Sequence, residues 1–158
     1  MATYGAICCA VDFSESSRTA LLEAADLARR EGAHLTVLHV REDPTGAAGH
    51  GVSGPPAEDG GKVPALEALR GEAEWIRDDV VGTVIVSGPV AASIAQFARE
   101  TGADLLVLGS HGRTGLQRRA LGSVAEAVLR LAPCPVLVVR SPKDERREAG
   151  STLMVALP

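Results

Sequence analysis

The chain has 158 residues, enough for one domain whose core needs no disulfide or metal staple. Apolar residues make up 46% and charged residues 23%, and the net charge of −4 argues against a general nucleic-acid binder, whose phosphate contacts need a basic surface. No apolar run approaches the roughly 18–20 residues of a membrane span. The start, MATYGAICCAVDFSE, carries neither the basic nor the long apolar stretch of a secretory signal, so a cytoplasmic protein with no membrane partner is expected.

Strand-like and helix-like segments alternate along the chain. AICCAV (Ala6 to Val11) is a continuous apolar run, as for a strand buried on both faces. Ser14 is placed to cap a helix running to about Arg30, striped by Ala20, Leu21, Ala24, Leu27 and Ala28 and stopped by Gly32. HLTVLHV (His34 to Val40) is the second strand. A helix is expected over Pro64 to Asp79, with Leu66, Leu69, Ala73 and Ile76 on one side and Trp75 in the core. TVIVS (Thr83 to Ser87) is the third strand and PVAASIAQFARE (Pro89 to Glu100) the next helix. DLLVLG (Asp104 to Gly109) and PVLVVR (Pro135 to Arg140) are strands four and five, separated by a helix that begins near Gly122.

This alternation predicts an α/β fold, an open five-stranded parallel sheet with helices on both faces. Ligands of such sheets sit beyond the carboxyl ends of the strands where strand order reverses, which singles out Ala10 to Ser14, Val40 to Asp43, and the chain from Leu108 onward. Two regions fall outside the core. Residues 42–63 form a Gly/Pro-rich insertion, read as either a tolerated surface loop or a lid. Residues 141–158 form a tail that starts charged and ends in TLMVAL, leaving 1–140 as the domain. Cys8, Cys9 and Cys134 have no metal-ligand or CxxC spacing and read as small buried hydrophobes.

The stretch GSHGRTGLQRRALGSVAEAVLR (Gly109 to Arg130) falls on the third of the singled-out places. A glycine-rich turn that opens a helix exposes backbone N–H groups, and these attract phosphate. The spacing is neither GxxxxGK[ST] nor GxGxxG. It does satisfy G-x2-G-x9-G-[ST] at Gly109, Gly112, Gly122 and Ser123. With VDFSE (Val11 to Glu15), LTVLHV (Leu35 to Val40) and APCPVLVVR (Ala132 to Arg140) in the same order, the chain resembles the universal stress proteins of the ATP-binding type from about Ala6 to Arg140.

That resemblance implies a Rossmann-like fold and a set of roles. Asp12 and the backbone of Val40 would face the adenine, with Ala10 and Leu108 near the ribose. Gly109, having no Cβ, would let the backbone approach the ribose and α-phosphate, and Gly112 would turn loop N–H groups inward. Gly122, Ser123 and Val124 would offer helix N–H groups to the β- and γ-phosphates, unless Ser123 is a plain N-cap. Arg113 is the best phosphate contact among Arg113, Arg118 and Arg119, all three of which otherwise read as a solvated face. Mg²⁺ or Mn²⁺ would bridge the phosphates, with no protein ligand assigned. His111 has no nucleophile tied to it by spacing, and His39 reads as a packed or hydrogen-bonded strand residue.

The function so implied is a dimeric ATP sensor in stress response with little or no turnover. The alternatives are a slow ATPase or ATP-dependent transferase, and a scaffold that binds no nucleotide. There is no P-loop lysine and no Walker-type acidic residue. For the dimer, the final strand carries Val136, Leu137, Val138 and Val139 without a protecting lysine. It is expected at the sheet edge, where it would pair antiparallel with a second copy. The alternative is an edge covered by the chain's own TLMVAL.

Overall fold

β1 (Ala6–Ala10) is buried at every residue after Ala6, which is why its sequence shows no polar alternation. The computed structural model describes residues 3–41, 80–112, 121–141 and 154–155. The expected helix over Pro64 to Asp79, the insertion 42–63, the three loop arginines and most of the tail lie outside them.

α1 (Glu15–Glu31) follows β1 and has the ends its sequence prescribes. The Ser14 hydroxyl accepts from the Ser17 N–H, Arg29 and Arg30 sit in the last turn, and Gly32 stops the helix at φ +67°. β2 (His34–Arg41), β3 (Val80–Ser87), α2 (Val90–Thr101), β4 (Leu105–Gly109), α3 (Ser123–Leu131) and β5 (Val136–Val139) complete the alternation. β3 begins at Val80 rather than Thr83, because Gly82 interrupts the pattern without ending the strand. The register steps from Leu35 opposite Val80 to Thr36 opposite Gly82, so the irregularity absorbs one residue.

With a short β6 (Met154–Val155) near the end of the chain, the strand order is β3-β2-β1-β4-β5-β6, and the first five strands are parallel. One face of the sheet packs Ile7, Cys9, Leu35, Val37, Leu105 and Val107 on the small residues of α1, among them Ala20, Ala24, Ala25 and Ala28. Alanines at these positions bring the helix close to the strands. The other face packs Cys8, Leu38, Leu106, Val136 and Val138 against Ile94 and Phe97 of α2 and Ala125 and Val128 of α3. The two faces are therefore filled by alternate residues of the same strands, Cys8 to one side and Cys9 to the other.

The expected edge position of β5 does not hold: β6 pairs with it antiparallel, Val136 opposite Val155 and Leu137 opposite Met154. A sixth parallel strand would need a crossover helix, but an antiparallel one needs only a return of the chain, which the tail supplies. The apolar TLMVAL thus places two of its residues on the unprotected side of β5.

Candidate functional site

Strand order reverses between β1 and β4, which brings Ala10 and Leu108 side by side as paired residues at the carboxyl end of the sheet. Their side chains, with that of Val40, are buried in the core facing α2 and α3. These three residues therefore present backbone, not side chains, to anything seated above the strands.

The connection from β1 to α1 is tightly specified. The Val11 N–H continues the ladder to the Leu38 carbonyl at 2.8 Å. The Val11 carbonyl, in turn, lies 2.8 Å from Nδ1 of His39. Asp12 accepts from the Ser14 N–H through Oδ1 at 3.0 Å, so the carboxylate builds the turn that starts the helix. Between them Phe13 adopts φ +67°. For a bulky side chain this left-handed conformation costs on the order of 1–3 kcal/mol and persists only where its surroundings impose it. The Phe13 and His39 rings are in contact, with centroids 4.6 Å apart and planes inclined by 42°.

The chain beyond β4 is equally constrained. The Ser110 N–H donates to the Val139 carbonyl at 2.8 Å, and the Ser110 carbonyl accepts from the Gly122 N–H at 2.7 Å. The loop that leaves β4 therefore returns to its own starting point before α3 begins. Beneath it the hydroxyls of Ser16 and Ser110 lie 3.4 Å apart, and Oγ of Ser110 is 3.1 Å from Nδ1 of His111. Ser16 and Ser110 are both buried. Ser14 closes the group, its hydroxyl within 3.5 Å of the His111 carbonyl.

Three glycines hold this arrangement, each against a different neighbour. A Cβ on Gly109 would stand 2.6 Å from Oγ of Ser16 and 2.8 Å from the Ser17 backbone nitrogen. The close approach that Gly109 permits is thus to the first turn of α1, where the expectation placed a ribose. A Cβ on Gly112 would stand 3.0 Å from Oδ2 of Asp12, so the turn carboxylate lies against the loop. One on Gly122 would meet the Ser110 carbonyl oxygen at 3.2 Å.

Gly122 is the N-cap of α3 and Ser123 its first helical residue, which differs from the plain N-cap reading of Ser123. Gly122 gives α3 no side-chain cap, in contrast to Ser14 at α1, so among the described residues the first-turn N–H groups at Ser123 and Val124 carry the positive end of the helix dipole without a capping hydroxyl. Both residues are exposed. Gly122 stands across Ser110 to Gly112 from Asp12, so these expected residues share one end of the sheet. Arg113 lies outside the described residues.

Sequence reasoning missed Ser16, Ser110 and Phe13. Ser16 and Ser110 give no signal of their own, since each looks like any serine near a helix start or strand end. His39 had a signal: it follows Leu35 and Val37 in the alternation, where a third aliphatic side chain would continue the core.

The thiols stay protonated at neutral pH. Burial, with a smaller push from Cys134, raises Cys8 to about 12, and burial raises Cys9 and Cys134 above the ordinary thiol value as well. Among the described residues no group of three or more His, Cys, Asp or Glu is placed to hold a metal ion. No described helix is long and apolar enough to cross a membrane.

The sequence model of the universal stress protein family matches residues 3–140. A putative universal stress protein of Staphylococcus haemolyticus is 32% identical over 158 residues, covering 96% of this chain and 95% of its own. Among solved structures, universal stress protein UspA from Lactobacillus plantarum superposes with a TM-score of 0.71 at 30% identity, over 89% of this chain and all of its own. A universal stress protein in complex with cAMP superposes with a TM-score of 0.65 at 25% identity, over 87% of this chain and 98% of its own.

Proposed function

Since this chain belongs to the universal stress protein family, we propose that it binds adenine nucleotides, ATP foremost, at the carboxyl ends of β1, β2 and β4, and acts as a dimeric regulatory sensor with little or no turnover. The observation that carries the reading is the closed neck between Ser110 and Gly122. It sets the uncapped N-terminus of α3 beside the strand ends, the combination of free N–H groups and helix dipole that favours phosphate. The adenine would lie over the ends of β1 and β2, near Asp12 and the Val40 backbone, with the ribose above Ala10 and Leu108. The phosphates would run past Gly109, Gly112 and Arg113 to Gly122, Ser123 and Val124. The relative solved with cAMP supports an adenine nucleotide as the ligand class.

A divalent ion, Mg²⁺ or Mn²⁺, would ride on the β- and γ-phosphates and neutralise their charge. Two features support low turnover. His111 turns its Nδ1 to the buried Ser110 hydroxyl beside it, and the sequence has no P-loop lysine. In the dimer a second copy pairs along Val136, Leu137, Val138 and Val139, in the place that Met154 and Val155 take within the single chain.

The test is mass spectrometry of freshly purified, denatured protein, followed by calorimetry with ATP, ADP, AMP and cAMP. Co-purified adenine nucleotide, or micromolar binding of any of the four, supports the reading. Absence of both would leave a scaffold that binds no nucleotide.

A further inference from the structure

His39 stands where the β2 alternation calls for an aliphatic residue. Leu35 and Val37, the two positions before it on that face, are both buried against α1. A polar ring in such a place needs a hydrogen-bond partner. Its partner is the Val11 carbonyl, the last backbone acceptor before the chain turns away from the sheet. A carbonyl only accepts, so Nδ1 carries the proton. The next residue but one, Phe13, holds φ +67° and packs its ring on the same imidazole. One side chain therefore touches both neighbours of Asp12.

We propose that His39 is a positioning residue for the nucleotide site: by donating from Nδ1 to the Val11 carbonyl and seating its ring on Phe13, it fixes the turn that holds the Asp12 carboxylate against Gly112. This rests on the nucleotide reading above. Asp12 is constrained from every side that the turn offers. Val11 is tied to His39 before it, Phe13 is braced by His39 after it, and the Ser14 N–H binds Oδ1. Oδ2 is then left lying toward Gly112, where the glycine loop begins. The same bond sets where β1 leaves β2. The Val11 carbonyl is the acceptor that the Val40 N–H would seek in a continuing parallel ladder, and the imidazole takes it. A base approaching the strand ends meets the Val40 backbone for that reason.

The experiment compares His39→Leu and His39→Asn with the wild type. Leucine continues the apolar alternation and keeps the bulk without the donor. Asparagine places an N–H close to where Nδ1 stands. ATP affinity is read by calorimetry and folding by thermal melting. Expected are an ATP affinity at least tenfold weaker for His39→Leu at an unchanged or higher melting temperature, and recovery to within about threefold of wild type for His39→Asn. His39→Leu binding ATP like the wild type, or His39→Asn no better than His39→Leu, overturns the proposal. Nitrogen-15 NMR of the imidazole in the ligand-free wild type adds a readout that needs no nucleotide. A proton on Nδ1 in the neutral ring is expected, and a neutral ring protonated only on Nε2 overturns the assignment. A wild type that binds no adenine nucleotide while its His39 carries the Nδ1 proton refutes the nucleotide reading and leaves the turn geometry standing, so the two failures are distinct.

Discussion

The Gly122 N–H donates to the Ser110 carbonyl at 2.7 Å, and a Cβ on Gly122 would stand 3.2 Å from that same carbonyl oxygen. The hydrogen bond and the glycine therefore depend on each other. Gly122→Val places a branched side chain at the neck and opens it. ATP affinity should fall at least tenfold, about 1.4 kcal/mol. Calorimetry giving equal affinity in mutant and wild type would remove the phosphate assignment.

Ser123→Ala separates the helix terminus from the hydroxyl. Because Gly122 and not Ser123 is the N-cap, the substitution removes no capping bond. Stability should stay within about 0.5 kcal/mol of wild type, as for a surface change. Any loss of ATP affinity then reports the hydroxyl at the phosphates. A melting temperature that drops by many degrees would show that Ser123 has a structural partner.

Gly109→Ala tests packing in place of binding. Its Cβ would stand within 2.8 Å of two backbone atoms of α1 as well as the Ser16 hydroxyl, and backbone cannot swing aside. Overpacking of this kind costs typically 1–3 kcal/mol or more. Urea denaturation without nucleotide should show that loss. An unchanged midpoint would mean that α1 shifts freely, contrary to its alanine-lined seat on the sheet.

Alkaline pH should destabilise the protein through its thiols. Cys8 ionises at about 12 in the folded chain against 9.0 for an ordinary thiol, and Cys9 is raised as well. Folded thiols thus keep protons that unfolded thiols release between those values. The stability they contribute is complete below pH 9 and is lost as the pH rises, by about 1.4 kcal/mol per unit for each such group. Denaturant titrations at pH 8, 9 and 10 should show the decline, and Cys9→Ala should make it shallower. A slope that Cys9→Ala leaves unchanged would assign the decline to other groups.

The tail and a second copy compete for β5. Removing residues 151–158 takes away β6 and uncovers Val136 and Leu137. Sedimentation should show tighter self-association in the truncated chain than in the full one, because the bared backbone groups of β5 can then pair with a second copy. Truncation that dissolves a wild-type dimer would mean instead that the tail itself makes the contact.

What was legible in the sequence follows from where side-chain identity decides structure. Apolar runs such as AICCA and LLVLG have no polar option but the sheet interior, and the caps Ser14 and Gly32 are residue types with one good place each. The glycine spacing marked the loop for the same reason. The partners of those glycines were not legible, since a missing Cβ says only that something is close. Gly109 is close to α1, across 93 residues of chain, and no local pattern records that. β6 escaped for a related reason. A two-residue antiparallel strand is too short to have a period, and only the bare side of β5 hinted that something must cover it.

The neck at Ser110 and Gly122 has a consequence for how such a chain can diverge. The ends of the segment 113–120 are fixed by groups outside it, the Ser110 carbonyl on one side and the N-cap of α3 on the other. Lengthening a loop whose ends are already joined is inexpensive, about 0.6 kcal/mol for each doubling. A substitution within that segment therefore need not move the sheet, the helix start or the turn at Asp12, whose places are set by groups outside it. On the nucleotide reading, exchanging that segment between relatives is a direct test of its part in ligand choice, because the neck that holds its ends stays untouched.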